Sequence, residues 1–345
     1  MAQRRGDGHR MVRWLWTSRR LDARAARALL VPASGLWGAV MRTRAEAYRR
    51  GWCATHDLPL PSVALGNLTV GGSGKTPLAG WVAEHFVHRG RIPGILLRGV
   101  GGDEALVHRE AVPQAIVVPD PDRRAGAMRA LEMGAQVLVL DDAYQRLDVA
   151  RDLNICLMSA ETTRAVRWHL PAGPWRERWG ALDRAHAMIV TRKRADAETA
   201  QRLAAALQGR VAGPVAVARL ELDELRGLVS GRARDVSTLA GRRVVAASAI
   251  ADPDAFVAQV KRTGAQVQVA TWKDHHQFRD EDVAWLAHAA RRADHVVLTA
   301  KDAVKLRDRW PASVPEPLVA MLRVVFESGE DDLRAALDRT VAPRA

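Results

Sequence analysis

Cysteine is nearly absent: Cys53 and Cys156, far apart and without a C-x-x-C spacing, are the whole complement in 345 residues. That excludes a disulfide framework and a cysteine zinc site, and it fits a reducing compartment. Lysine is almost as scarce, at six of 52 basic residues. Three of the six fall in two short motifs, Lys75 in a glycine-rich stretch and Lys301 and Lys305 near the C-terminus. Low-complexity tracts and repeats of solenoid period are also missing. The apolar run Ala28 to Met41 is interrupted by Pro32 and Gly35 and falls short of the ~20 residues that span a bilayer. Its long basic flank, with arginines on both sides and no small-residue cleavage site, does not fit a signal peptide either. What is present, 48% hydrophobic and 26% charged residues, describes a globular chain long enough for two domains.

The net charge of +13 is unevenly spread. Residues 1–50 hold twelve Arg against Asp7, Asp22 and Glu46, so most of the excess lies there and little is left for a nucleic-acid-binding face on the folded domains. With Trp14, Trp16 and Trp37 beside the apolar run, this segment reads as an interfacial amphipathic helix for an anionic membrane surface, or else as an ordinary helix packed on the domain.

The densest signal is Gly66-Asn67-Leu68-Thr69-Val70-Gly71-Gly72-Ser73-Gly74-Lys75-Thr76-Pro77. A short apolar run, Ser62 to Leu65, precedes it, and Leu78, Trp81, Val82, Phe86 and Val87 follow at helical spacing. Strand, glycine-rich turn and helix are the setting of a P-loop, in which backbone N–H groups and a helix N-terminus meet phosphate oxygens. Lys75 would reach the β- and γ-phosphates and the Thr76 hydroxyl would ligate Mg²⁺. The loop residues Thr69, Val70, Gly71, Gly72, Ser73, Gly74, Lys75 and Thr76 are the expected nucleotide contacts, with Thr69 where the first glycine of the pattern usually stands.

Short β-like runs at 94–97, 115–118, 137–140, 155–158 and 187–191 alternate with helical patterns, which predicts a P-loop NTPase-like, mostly parallel sheet with helices on both faces. A second series (strands at 215–220, 244–250, 267–270 and 295–299; helices at 253–263 and 280–292) predicts a smaller C-terminal α/β domain. The expected organisation is an N-terminal membrane-associating segment at 1–50, a P-loop core at 51–212, the smaller domain at 213–328 and a C-terminal helix or tail at 329–345.

Magnesium at a P-loop calls for a carboxylate at the end of an apolar strand, and Val137 to Leu140 runs into Asp141-Asp142. Gly101-Gly102-Asp103-Glu104 follows another strand at the same edge; alone it is a common turn. Asp274-His275-His276 places two histidines side by side, so one of them is expected to be structural, and with no H-E-x-x-H the stretch does not suggest zinc. An Asp and a His brought together could take a hydroxyl proton in phosphoryl transfer. Thr191-Arg192-Lys193-Arg194 after a strand is not the N-K-x-D of a GTPase.

GNLTVGGSGKTP, GGDEALVHRE, VLVLDDAYQ followed by ARDLNI, LPAGPWRE, AIADPDAF, KDHHQF and TAKDAVKL occur in the order seen in the tetraacyldisaccharide 4'-kinases of lipid A biosynthesis, and the chain resembles that family from about Leu29 to Leu306. The resemblance implies transfer of the ATP γ-phosphate, with Mg²⁺, to the 4'-hydroxyl of a tetraacylated disaccharide 1-phosphate at the cytoplasmic face of the inner membrane, the enzyme being peripheral or shallowly anchored. It implies Asp103 as catalytic base with His275 as its partner beside Lys75. It implies Thr76 and Glu177 as Mg²⁺ ligands with Asp141 and Asp142 nearby, and Arg123 and Arg176 as phosphate contacts. It suggests neither nucleic acid nor an obligate protein partner. The alternatives are another P-loop small-molecule kinase or a nucleic-acid-binding ATPase. The chain departs from the family's usual residues at Ala143, Tyr144 and Arg146, at Val100 and at Ala300.

Overall fold

The structure is a computed structural model that describes residues 7–99 and 102–342. Val100 and Gly101 lie outside the described residues. The described residues form two compact units, a larger one of 11–219 with 324–342 and a smaller one built on 220–323.

In the larger unit, helices α1 (Asp7–Thr17, which begins in the first residues) and α2 (Leu21–Arg49) precede β1 (Ser62–Asn67), α3 (Lys75–His88), β2 (Pro93–Leu97), α4 (Asp103–Ala111), β3 (Ile116–Pro119), α5 (Arg123–Glu132), β4 (Val137–Leu140), β5 (Leu153–Ser159), β6 (Ala187–Arg192) and α6 (Ala197–Gln208). The strands lie in the order β3-β2-β4-β1-β5-β6, all parallel, and residues 215–219 of β7 (Val215–Gly227) pair with β6. Alternate residues of β1 feed opposite faces: Val63 and Leu65 pack with Leu78, Val82 and Phe86 of α3, while Ala64 packs with Ala127 and Ala130 of α5. Helices on both faces and a buried parallel sheet follow from that pattern, as the sequence predicts. The order doubles back at β1, with β4 inserted on one side and β5 on the other, so the carboxyl end of β1 is a topological switch point.

The sequence treats Pro32 and Gly35 as breaks, yet α2 runs unbroken through both. Pro32 lies on the exposed side, and the helix is fixed by its opposite face, where Ala23, Ser34 and Gly38 are buried. No helix among the described residues is long and apolar enough to cross a membrane.

The smaller unit contains residues 220–227 of β7, β8 (Ala233–Asp235), β9 (Arg243–Ser248), α7 (Pro253–Arg262), β10 (Gln266–Thr271), α8 (Asp280–Ala290), β11 (His295–Thr299), α9 (Ala300–Leu306) and the start of β12 (Leu318–Ser328). Strands β10-β9-β11-β12 are parallel, and β8 pairs antiparallel with β7 through Glu224 and Asp235. Trp272, Phe278, Leu286 and Leu298 fill one face, and Phe256, Val260 and Val297 the other. The final helix, α10 (Glu330–Thr340), belongs to the larger unit and buries Leu333 and Leu337 in the cluster that holds α3.

Candidate active site

The glycine-rich loop leaves the carboxyl end of β1 and enters α3 through Gly74, whose φ of +82° is a left-handed conformation that glycine adopts without strain. No side chain among the described residues caps α3, so its first-turn N–H groups can meet a ligand. Gly66 is required for another reason: a Cβ there would lie 2.6 Å from Tyr144 Cβ and 2.7 Å from the Tyr144 backbone nitrogen. The strand carrying the loop and the turn after Asp142 are thereby pressed together.

Two further segments brace the loop. Val70 N–H donates to Pro174 O at 2.7 Å and Arg176 N–H to Leu68 O at 2.8 Å, so the Pro174-Trp175-Arg176-Glu177 stretch runs alongside it. From the end of β6, the Thr191 hydroxyl donates to Ser73 O at 3.0 Å and Lys193 Nζ to Gly72 O at 2.6 Å. Glu161 fixes that second brace, accepting from the N–H groups of Lys193, Arg194 and Ala195 at 2.9, 2.8 and 3.1 Å and from the Ser159 hydroxyl. Burial alone would raise the Glu161 pKa, but these donors outweigh it and hold the carboxyl at about 2.

Lys75 Nζ lies 3.4 Å from Asp142 Oδ1 and 3.5 Å from Asn67 Oδ1. Asp142, at a strained φ of +50°, also faces Arg176 Nη1 at 3.3 Å. Thus Lys75, Asp142 and Arg176 meet at the loop. Asp141, only 2% exposed, instead pairs with His108 on α4, with Nε2 to Oδ2 at 2.9 Å. Asp103 is the first residue of α4 and is 3% exposed. Arg123 is buried at the start of α5 and donates to Asp120 O; burial and Arg146 push it down to about 10, against the pull of Asp141 and Asp142. Glu177 is held by Arg184, whose Nη2 lies 2.9 Å from both carboxylate oxygens.

These oxygen donors suit Mg²⁺. No group of three or more His, Cys, Asp and Glu that could hold a metal occurs among the described residues. Magnesium at nucleotide sites takes one or two protein oxygens and completes its octahedron with phosphates and water, so Thr76 with Asp142 is a fitting set.

His275 belongs to the smaller unit. Its φ is +57°, its ring is half-exposed with Nε2 3.9 Å from Asp274, and its N–H donates to Ala249 O at 3.2 Å. The neighbouring His276 is the structural one, pairing at 2.9 Å with Asp282, which also accepts from Trp272 Nε1 and Arg279 N–H. Asp302 of the Lys301-Asp302 motif accepts from the Thr299 hydroxyl and from Ala249 N–H. The AIADP and TAKD motifs are therefore joined, and through Ala249 they support the His275 turn.

Helix α2 reaches the same edge of the larger unit. The Ser34 hydroxyl donates to His169 O, Trp37 Nε1 donates to Arg176 O at 3.0 Å, and Arg44 Nη1 donates to Gln145 O at 3.0 Å. Its outer face exposes Leu29, Leu36 and Val40, Leu29 to 84%. Sequence reasoning missed His108, Glu161, Lys193 and the Asn67–Gln145 contact, in which Gln145 Nε2 donates to Asn67 O at 2.8 Å. Only Lys193 carried a signal, a rare lysine just beyond a strand.

A glycine-rich loop on the switch-point strand, a helix N-terminus behind it, and a lysine and an aspartate at its mouth define a nucleotide-binding α/β protein of the P-loop type. Residues 26–105 and 100–342 match the model of the family described as tetraacyldisaccharide-1-P 4'-kinase, and the chain belongs to that family. It is 32% identical to the tetraacyldisaccharide 4'-kinase of Geobacter sulfurreducens, over 92% of this chain and 95% of the relative, and 35% identical to that of Aromatoleum aromaticum, over 88% and 93%. A solved structure of LpxK from Aquifex aeolicus, described as in complex with ATP, shares the fold with a TM-score of 0.71 at 24% identity, covering 92% of this chain and all of that one.

Proposed function

We propose that this chain transfers the γ-phosphate of ATP to the 4'-hydroxyl of a tetraacylated disaccharide 1-phosphate at the cytoplasmic face of the inner membrane. The observation that carries this reading is the meeting of Lys75, Asp142 and Arg176 at the loop, in a chain of the tetraacyldisaccharide 4'-kinase family. The loop residues Thr69 to Thr76 cradle the nucleotide phosphates, Lys75 reaches the transferring group, and Arg176 and Arg123 add positive charge around it. Mg²⁺ would be held by Thr76 and Asp142, with Asp141 and Glu177 as the further oxygen donors, and it would neutralise charge on the β- and γ-phosphates. Asp103, at the start of α4, takes the proton of the attacking hydroxyl, and His275 is the second residue to which an acid–base role is assigned.

Helix α2 presents Leu29, Leu36 and Val40 on the face opposite its buried Ser34 and Gly38, with Arg24 and Arg42 exposed beside them. Such a face inserts shallowly at an anionic lipid boundary, where an acylated acceptor resides. The test is transfer of labelled γ-phosphate to detergent-solubilised tetraacyl disaccharide 1-phosphate by the native protein, Lys75→Ala and Asp103→Ala. A bisphosphorylated lipid that forms with the native protein and fails to form with both variants supports the reading. Bound ATP with no labelled lipid overturns the substrate assignment.

A further inference from the structure

His108 lies on α4 five residues beyond Asp103, is fully buried, and places Nε2 2.9 Å from Oδ2 of the equally buried Asp141. Its other ring nitrogen, Nδ1, is enclosed with no hydrogen-bond partner among the described residues. A proton on Nδ1 would be a buried, unpaired donor, so the proton sits on Nε2 and is donated to the carboxylate. Elsewhere α4 and its end turn small or apolar groups into the core, Ala105 and Val112. A leucine would serve packing at position 108 equally well; a donor aimed at Asp141 is what the histidine adds.

We propose that His108 is a positioning residue for the phosphoryl-transfer site. Its Nε2–H holds the Asp141 carboxylate in one orientation for the nucleotide's metal. The same bond ties α4, which begins with Asp103, to the carboxyl end of β4. Outer-shell donors of this kind tune metal ligands, and their loss typically weakens metal affinity or activity by about 10–100-fold. The inference rests on the roles given above to Asp141 and Asp103.

The experiment compares native protein with His108→Gln, His108→Asn and His108→Leu. Affinity for Mn²⁺ is measured by electron paramagnetic resonance in the presence of a non-hydrolysable ATP analogue, and the Mg²⁺ concentration for half-maximal transfer is measured beside it. Gln places an amide N–H where Nε2 stands, whereas Asn is too short to reach and Leu has no donor. Gln should stay within about 3-fold of native, and Asn and Leu should lose about 10–100-fold in Mn²⁺ affinity. Mn²⁺ affinity that is unchanged in all variants, or equally weakened in Gln and Asn, overturns the proposal. Should Leu fail to fold, the two amides differ only in reach and decide the matter alone. If Mn²⁺ binding follows this pattern while no lipid is phosphorylated, the role of His108 stands and the substrate reading fails.

Discussion

Replacing Glu161 by Gln removes the charge that organises the brace behind the glycine-rich loop. The Glu161 carboxylate accepts three consecutive N–H groups, from Lys193 to Ala195, and the Ser159 hydroxyl, and its pKa is held at about 2 in the fold against 4.5 for the free side chain. A depressed carboxylate pKa means that the folded state binds the proton less readily than the unfolded state. The stabilisation is therefore complete above pH 4.5 and is lost as pH falls through about 2. At about 1.4 kcal/mol per unit, the ionised group contributes on the order of 3 kcal/mol at neutral pH. Glu161→Gln keeps one acceptor oxygen and should lose most of that, lowering the melting temperature by roughly 5–10 °C for a unit of this size. The assay is thermal unfolding of both proteins from pH 8 to pH 3, with the KM for ATP measured at pH 7.5. The gap between the two melting temperatures should be widest above pH 5 and narrow steadily below pH 4.5. The KM should rise because Lys193, which holds Gly72, is no longer fixed. A gap that does not vary with pH would refute the electrostatic account, and an unchanged KM would refute the link to the loop.

Gly66→Ala should cost about 1–3 kcal/mol, because the added Cβ meets Tyr144 backbone at 2.7 Å; it should also depress nucleotide binding measured by calorimetry, since the loop and the Asp142 turn are forced apart. A triple change of Leu29, Leu36 and Val40 to Ser removes only exposed apolar groups. It should abolish sedimentation with anionic vesicles while transfer to detergent-solubilised acceptor stays within about 2-fold of native, as expected when surface groups away from the site change. His85, buried on α3, faces Asp338 at 2.9 Å and accepts from Arg334 on α10 at 3.0 Å. Burial lowers its pKa below 6.5, so its neutral form supports the docking of α10 above that pH and the support is lost as pH falls. His85→Gln should flatten the decline in melting temperature between pH 7 and pH 5; an equally steep decline would show that another group is responsible.

What could be read in advance was whatever depends on local pattern. The order of strands and helices from Ser62 to Thr191 follows from apolar runs separated by turns, and the glycine-rich loop is legible because Gly71, Gly74, Lys75 and Thr76 sit in one short stretch. Long-range partnerships could not be read that way. Glu161 looks like any surface glutamate in sequence; its importance arises because β5 and β6 are neighbours in the sheet and bring Ser159 beside the residues after Thr191. The strand β12 escaped notice because Arg323, Glu327 and the prolines before it blur the apolar pattern, yet Glu327 is the salt-bridge partner of Arg192.

The pair of aspartates after β4 shows the same limit at the site itself. Sequence assigns both to the metal because adjacent carboxylates at a strand end look equivalent. Backbone geometry separates them: Asp142 is turned by a left-handed φ toward Lys75 and Arg176, while Asp141 continues the strand direction into the buried side of α4 and meets His108. The left-handed turn at Asp142 sends its side chain away from the direction its neighbour takes, so the two carboxylates sit in different surroundings. Asp142 faces Lys75 and Arg176 directly, and Asp141 reaches the site as a carboxylate held by His108, which joins the strand end to the helix that starts with Asp103. An Asp142→Asn change should therefore cut transfer strongly with little effect on stability. Asp141→Asn should lower both activity and melting temperature, because it replaces the charged acceptor of a buried histidine with a neutral amide that can also turn its NH₂ toward the ring.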